Sequence, residues 1–175
     1  MWQCSTEKDA WINRAFHNTT ARYNGYFNAG ELIKEARNNY EENYQEDYTK
    51  IIPIYIYADE EGSKSLYPAM DTAIKKCATV INKHAMPEKK TGEHAKTEWC
   101  KWIDDNWFVI GEANFHKREY NQALEMFEFI MDQYEFEEIV YVSKLWAAKT
   151  LIETEDYAKA VKYLKQLDDE VKKIE

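Results

Sequence analysis

Cys77, His84, His94 and Cys100 are the residues of this 175-residue chain whose types could hold a metal or attack a substrate. Six, nine and five residues separate successive members, and no compact zinc-ligand motif has those spacings. No C-x-x-C occurs, and three cysteines in all make no disulfide framework. Cys100 beside a histidine would make a thiol nucleophile, but its neighbours Trp99 and Trp102 point to packing. The carboxylate pairs Glu60-Glu61, Asp104-Asp105 and Glu137-Glu138 are adjacent in sequence. Adjacent helical residues diverge by about 100° and do not converge on one substrate, so these pairs read as helix starts or solvated positions. Phosphate-binding loops and the G-x-S-x-G elbow are missing from the sequence. Lys83, Lys89, Lys90 and Lys96 form a small basic patch around a polar loop, which reads as a solvated loop, with contact to anionic headgroups as the alternative. The expectation is a chain with no catalytic residue, metal or cofactor.

Composition narrows the class further. Acidic residues outnumber basic ones 32 to 23, a net charge of −9, the opposite of what a duplex-coating nucleic-acid binder needs. Gly (5) and Pro (3) are too few for the turns of an all-β sandwich. The longest apolar run, residues 51–58, is well short of the roughly 20 residues that span a bilayer. The 26 aromatic residues, 13 Tyr, 7 Phe and 6 Trp, must pack against a core or a partner.

Hydrophobic periodicity then predicts helices. Trp11, Ala15, Asn18 or Thr19, Arg22 and Tyr26 step by three and four, flanked by Ile12, Phe16 and Tyr23, giving a helix over 9–27. Asn28-Ala29-Gly30 reads as a turn, and Leu32, Ile33, Ala36, Tyr40 and Tyr44 mark a second helix over 30–48. Ile51-Ile-Pro-Ile-Tyr-Ile-Tyr57 is β-branched, aromatic and interrupted by Pro53, so it reads as extended but not as a central strand. A helix over 67–85 buries Met70, Ala73, Ile74, Cys77, Val80 and Ile81, and four more helices with short links follow over 96–117, 119–134, 137–153 and 155–174. The expected organisation is an N-terminal anchor region (1–8), a helical hairpin (9–48), an extended linker (49–66), a single helix (67–86), a polar loop (87–97) and two hairpins (98–175).

A repeat lies within the last region. Trp107-x2-Ile110-Gly111, Tyr120 and Ala123-x3-Phe127 match the tetratricopeptide pattern, with Ile in place of Leu. Gly111 and Ala123 remove side chains so that two helices can approach, and the aromatics fill the space around the contact. About 37 residues on, Ala148, Leu151, Tyr157, Ala160 and Leu164 repeat the pattern loosely. The fold expected is therefore all-α, with tetratricopeptide-like antiparallel hairpins stacked as a short solenoid and one extended segment near 51–57. Its concave face is expected to carry Asp105, Phe108, Glu112, Phe115 and His116 from one unit and Val142, Leu145, Lys149, Ile152 and Glu153 from the next.

Cys4-Ser-Thr-Glu-Lys-Asp9, followed by Arg14 to Asn28 with its Tyr23-Asn-Gly-Tyr-Phe-Asn28 run, resembles the mature N-terminus of the SprE/PorW family. These are tetratricopeptide lipoproteins of the Bacteroidetes type IX secretion and gliding-motility system. Ile51-Ile52-Pro53 and Lys83-His84-Ala-Met86 are similar too, and the likeness covers roughly 4–175. The resemblance implies that Cys4 is acylated behind a cleaved leader and anchors the protein to the periplasmic face of the outer membrane. It implies partners among the outer-membrane translocon and the periplasmic motor ring, no nucleic acid, and further repeats downstream of this portion. The alternative from the residues alone is a generic soluble tetratricopeptide adaptor or co-chaperone unrelated to secretion.

Overall fold

The computed structural model describes residues 5–6, 10–87, 98–135 and 137–173. The described residues form seven α-helices and one π-helical segment, with no strand. Helix α1 (Trp11–Thr20) passes without a break into a π-helical segment (Ala21–Phe27) and then α2 (Asn28–Glu42). Next come α3 (Glu60–His84), α4 (Ile103–His116), α5 (Tyr120–Gln133), α6 (Ile139–Glu153) and α7 (Tyr157–Val171). Each helix from α2 onward packs on the next, and α4 also touches both α2 and α6. The all-α class read from the sequence is what the chain adopts.

The expected hairpin over 9–48 is instead a single rod from Trp11 to Glu42. Asn28 keeps helical angles, φ −67° and ψ −31°, so the turn signal at 28–30 loses to packing. Ala21, Ala29 and Ile33 are fully buried on one side of that rod, and breaking it would expose them. The rod does pay a local distortion. Within the π-helical segment, Gly25 comes so close to α4 that a Cβ there would sit 2.1 Å from Asn106 Oδ1. The Asn106 amide donates to the Ala21 carbonyl at 3.2 Å and to the Trp102 carbonyl at 2.5 Å. A buried side-chain donor thus engages a carbonyl at the start of the π turn, where the normal i→i+4 ladder is interrupted.

The linker is shorter than expected. Asp59 caps α3, its carboxylate accepting the Gly62 N–H at 2.7 Å, and this starts the helix seven residues before the predicted position. A proline ordinarily marks a helix boundary, but Pro68 lies inside α3 on its exposed side. The carbonyl that proline leaves without a helical donor can face water there. Residues 51–57 are irregular, with a bend at Ile54 and Tyr55, and belong to no helix or strand. The helix predicted from 96 begins only at Ile103. Ahead of it, Glu98 forms an isolated bridge with Pro87, and its carboxylate accepts the N–H groups of Met86 (2.6 Å) and Cys100 (2.8 Å). The predicted polar loop over 87–97 lies outside the described residues apart from Pro87.

The turns after α4 and α6 are the same structure at two places. Arg118 and Glu155 both take left-handed angles, φ 62° and 61°. Around Arg118, Lys117 N–H bonds Ala113 O, Arg118 N–H bonds Phe115 O, Glu119 N–H bonds Asn114 O and Ala123 N–H bonds Glu119 O. Around Glu155 the pairs are Thr154 to Thr150, Glu155 to Ile152, Asp156 to Leu151 and Ala160 to Asp156, each residue 37 positions beyond its counterpart. Two non-glycine residues held at positive φ by one hydrogen-bond pattern make this a structural repeat of two hairpins.

Candidate functional site

The predicted packing residues fall into two groups. A Cβ on Gly111 would lie 2.7 Å from the Phe127 ring, so the glycine is what lets α5 seat Phe127 against α4. Ile110, Ala123, Phe127, Ala148 and Ala160 are buried, and Trp107 and Tyr120 are partly buried against them. Tyr157 and Leu164 are not packing residues: they are 59% and 38% exposed. No helix follows α7 to cover them among the described residues. Tyr163 takes the inward position instead, packing with Ala148, Leu151 and Ala160 while its hydroxyl donates to Glu128 at 2.9 Å.

The predicted groove is not an open one. Phe108, Phe115 and His116 are buried rather than surface-lining. Phe115 and His116 are covered by Tyr57 of the 51–57 segment, whose ring centroid lies 5.0 Å from Phe115 and 6.3 Å from His116. Tyr55 stacks on Tyr57 at 5.9 Å. The Lys149 ammonium stands 4.9 Å over Tyr55 and 4.7 Å over Trp146. Arg118 Nη1 donates to the Ala58 carbonyl at 3.2 Å and pins the end of the segment. The slot between α2, α4 and α6 is thus lined by aromatic faces and filled from within the chain.

Burial sets the charges in the slot. Glu112 is held above the usual carboxylate range by burial, against the pull of Arg37 and Lys149. Burial drives His116 down to about 3, with Arg37 and Lys149 adding to the effect, so its imidazole is neutral at pH 7. Its Nε2 lies 3.9 Å from Glu112 Oε1, beyond hydrogen-bond reach, and has no hydrogen-bond partner among the described residues. Lys149 is lowered by burial and by Arg37. Glu153 accepts from the Tyr120 hydroxyl at 3.2 Å. Buried groups arranged this way place a few orienting polar atoms among aromatic walls, a binding arrangement. Asp105 belongs elsewhere: burial first, then the neighbouring Asp104 and Glu137, raise it to about 7. Val142, Leu145 and Ile152 continue the same side of α6 as exposed apolar residues.

The candidate nucleophiles and ligands do not assemble. Cys77 and Cys100 are fully buried, and burial pushes both thiols up to about 12. His84 faces His17 rather than a cysteine, with the two Nδ1 atoms 2.8 Å apart. No group of three His, Cys, Asp or Glu among the described residues could hold a metal. His94, Lys89, Lys90, Lys96 and Cys4 lie outside the described residues. Glu60-Glu61 and Asp104-Asp105 fall in the first turns of α3 and α4, where carboxylates complement the helix dipole. No described helix is long and apolar enough to cross a membrane.

The sequence reading overlooked Arg37, Trp146 and Arg118, and it left open where the segment holding Tyr55 and Tyr57 docks. The alternate tyrosines of an apolar, proline-broken segment were the available signal. Which helices they meet depends on the course of the rod and cannot be read from periodicity. No protein-family model matches the chain, and a search of curated proteins finds no match.

Proposed function

We propose that this chain is a non-catalytic scaffold for protein–protein interaction, built from tetratricopeptide-like hairpins, and that it serves as the N-terminal portion of a SprE/PorW-type lipoprotein in type IX secretion and gliding motility. The observation that carries the scaffold reading is the 37-residue repeat of the left-handed turns at Arg118 and Glu155, with matching hydrogen bonds. Two such hairpins stack when small residues let the helices touch, as Gly111 does at Phe127. Helix α4 contacts both α2 and α6, and the aromatic-lined slot they border is where this reading places a partner. The burial of both cysteines and the neutral His116 favour binding over chemistry. The secretion assignment rests on the Cys4 to Asn28 resemblance. In that reading Cys4 carries the acyl chains, each buried CH2 adding about 0.8 kcal/mol to anchoring at the outer membrane, and the partners are translocon and motor-ring components. Mass spectrometry of the native protein from membrane fractions tests this. Acylation at Cys4 is expected; a soluble, unacylated cytosolic species rejects the secretion assignment.

A further inference from the structure

Tyr55 and Tyr57 occupy the side of the molecule that the scaffold reading assigns to partners, and they do so with little else holding them. No backbone hydrogen bond ties residues 51–57 to any helix among the described residues. Ile51 and Ile54 are 98% and 92% exposed, so the segment is seated only at its tyrosine end. The seat itself is specific. Tyr57 meets Phe115 edge-on, at 78° between planes, while Tyr55 lies nearly parallel to Tyr57 beneath the Lys149 ammonium. Edge-to-face and cation–π geometry both reward a flat aromatic ring and not an aliphatic side chain. His116 Nε2, buried beneath the seated segment, has no hydrogen-bond partner among the described residues.

We propose that residues 55–57 are a displaceable strap, and that the slot beneath them accepts in their place an extended segment of another protein carrying two tyrosines at alternate positions. The inference rests on the scaffold reading and adds its specificity and its control. Extended backbone puts residues i and i+2 on the same side, so one ring enters beside Phe115 while the other reaches Lys149, as the chain's own rings do. The strap competes with the incoming segment and lowers its apparent affinity by the fraction of time that the slot is covered. Ile51, Ile52 and Ile54 stay outside the slot when the strap is seated, and give an incoming protein an apolar handle next to it.

A labelled peptide with the sequence of residues 50–58 is the probe, titrated by fluorescence polarisation into the whole protein and into a Tyr55→Ala, Tyr57→Ala variant whose helicity is checked by circular dichroism. The variant is expected to bind the peptide at least about tenfold more tightly than the unaltered protein, as relief of a strap seated about nine-tenths of the time requires. A peptide with both tyrosines replaced by alanine is expected to bind neither. Equal affinity for the two proteins, binding to neither, or equal binding of the alanine peptide overturns the proposal. The second arm does not depend on the variant folding. A peptide bearing benzoylphenylalanine at its second tyrosine, irradiated with the unaltered protein, is expected to label α4 or α6 near Phe115 and Trp146; labelling elsewhere, or none, overturns it. Failure of these arms with Cys4 acylation intact refutes the strap alone, whereas an unacylated cytosolic protein refutes the secretion assignment and leaves the peptide result standing.

Discussion

Alanine at two helical glycines separates close packing from helix propensity. Gly30 and Gly111 both lie within helices, and alanine in place of glycine is worth roughly 0.5–1 kcal/mol to a helix through lost backbone freedom in the unfolded chain. At Gly30 a Cβ meets nothing within 4 Å, so Gly30→Ala should stabilise by about that amount. At Gly111 the same Cβ falls 2.7 Å from Phe127 Cε1 and 3.0 Å from its Cζ. The ring cannot swing aside, because it is wholly buried and has Phe108 and Trp146 at centroid distances of 5.6 and 6.0 Å. Overpacking of this kind costs about 1–3 kcal/mol. The propensity gain cancels when the two variants are compared, so Gly111→Ala should be less stable than Gly30→Ala by about 1–3 kcal/mol. For a domain of this size that is a difference of roughly 2–4 °C in Tm per kcal/mol. Urea unfolding followed by circular dichroism measures it. If both variants gain stability equally, Gly111 is not a packing site and the contact between α4 and α5 is wrongly understood.

Four further outcomes are expected. Gly25→Ala drives a methyl into Asn106 Oδ1 and close to Val80, so it should destabilise by about 1–3 kcal/mol in the same urea assay; a neutral result would mean that Asn106 does not hold the π turn. Asp105, raised to about 7, binds its proton more tightly folded than unfolded. Its contribution is therefore present below the ordinary value of 3.8 and lost as pH rises through 7. The full shift would be worth roughly 4 kcal/mol, cut to about 2 by partial exposure of the side chain. Asp105→Asn should thus gain on the unaltered protein between pH 4.5 and 8, and parallel pH profiles would contradict this. His116 acts in the opposite sense, since a base lowered from 6.5 to about 3 costs stability as pH falls below 6.5. Finally, Cys77 and Cys100 should resist an aromatic disulfide reagent until urea unfolds the chain, because both are buried with raised thiols; rapid labelling in the folded protein would refute their placement.

The sequence made the four C-terminal helices legible because their signals are local. Gly111 and Ala123 mark a close contact, and the links are too short for anything but adjacent packing. It misled where local and tertiary preferences disagree. Asn28-Ala29-Gly30 has turn chemistry, yet burying Ala21, Ala29 and Ile33 along one rod outweighs it. A proline ordinarily marks a boundary, but Pro68 on the wet side of a 25-residue helix is tolerated. Tyr157 and Leu164 fit the repeat pattern, but a packing motif needs a neighbour, and no helix follows α7 among the described residues. Of the expected groove residues, Phe115 and His116 lie on α4 as read but are buried rather than open. Their burial was illegible because the cover comes from Tyr55 and Tyr57, some 60 residues before Phe115, and no periodic pattern links the two.

Site-specific photocrosslinking in intact cells tests the scaffold account most directly. Benzoylphenylalanine at Leu145, an exposed residue on the same side of α6 as Lys149, is compared with the same group at Glu125 on the exposed side of α5. The account predicts adducts with a translocon or motor-ring protein from position 145 and none from position 125. Adducts formed equally from both positions, or from neither, would contradict it.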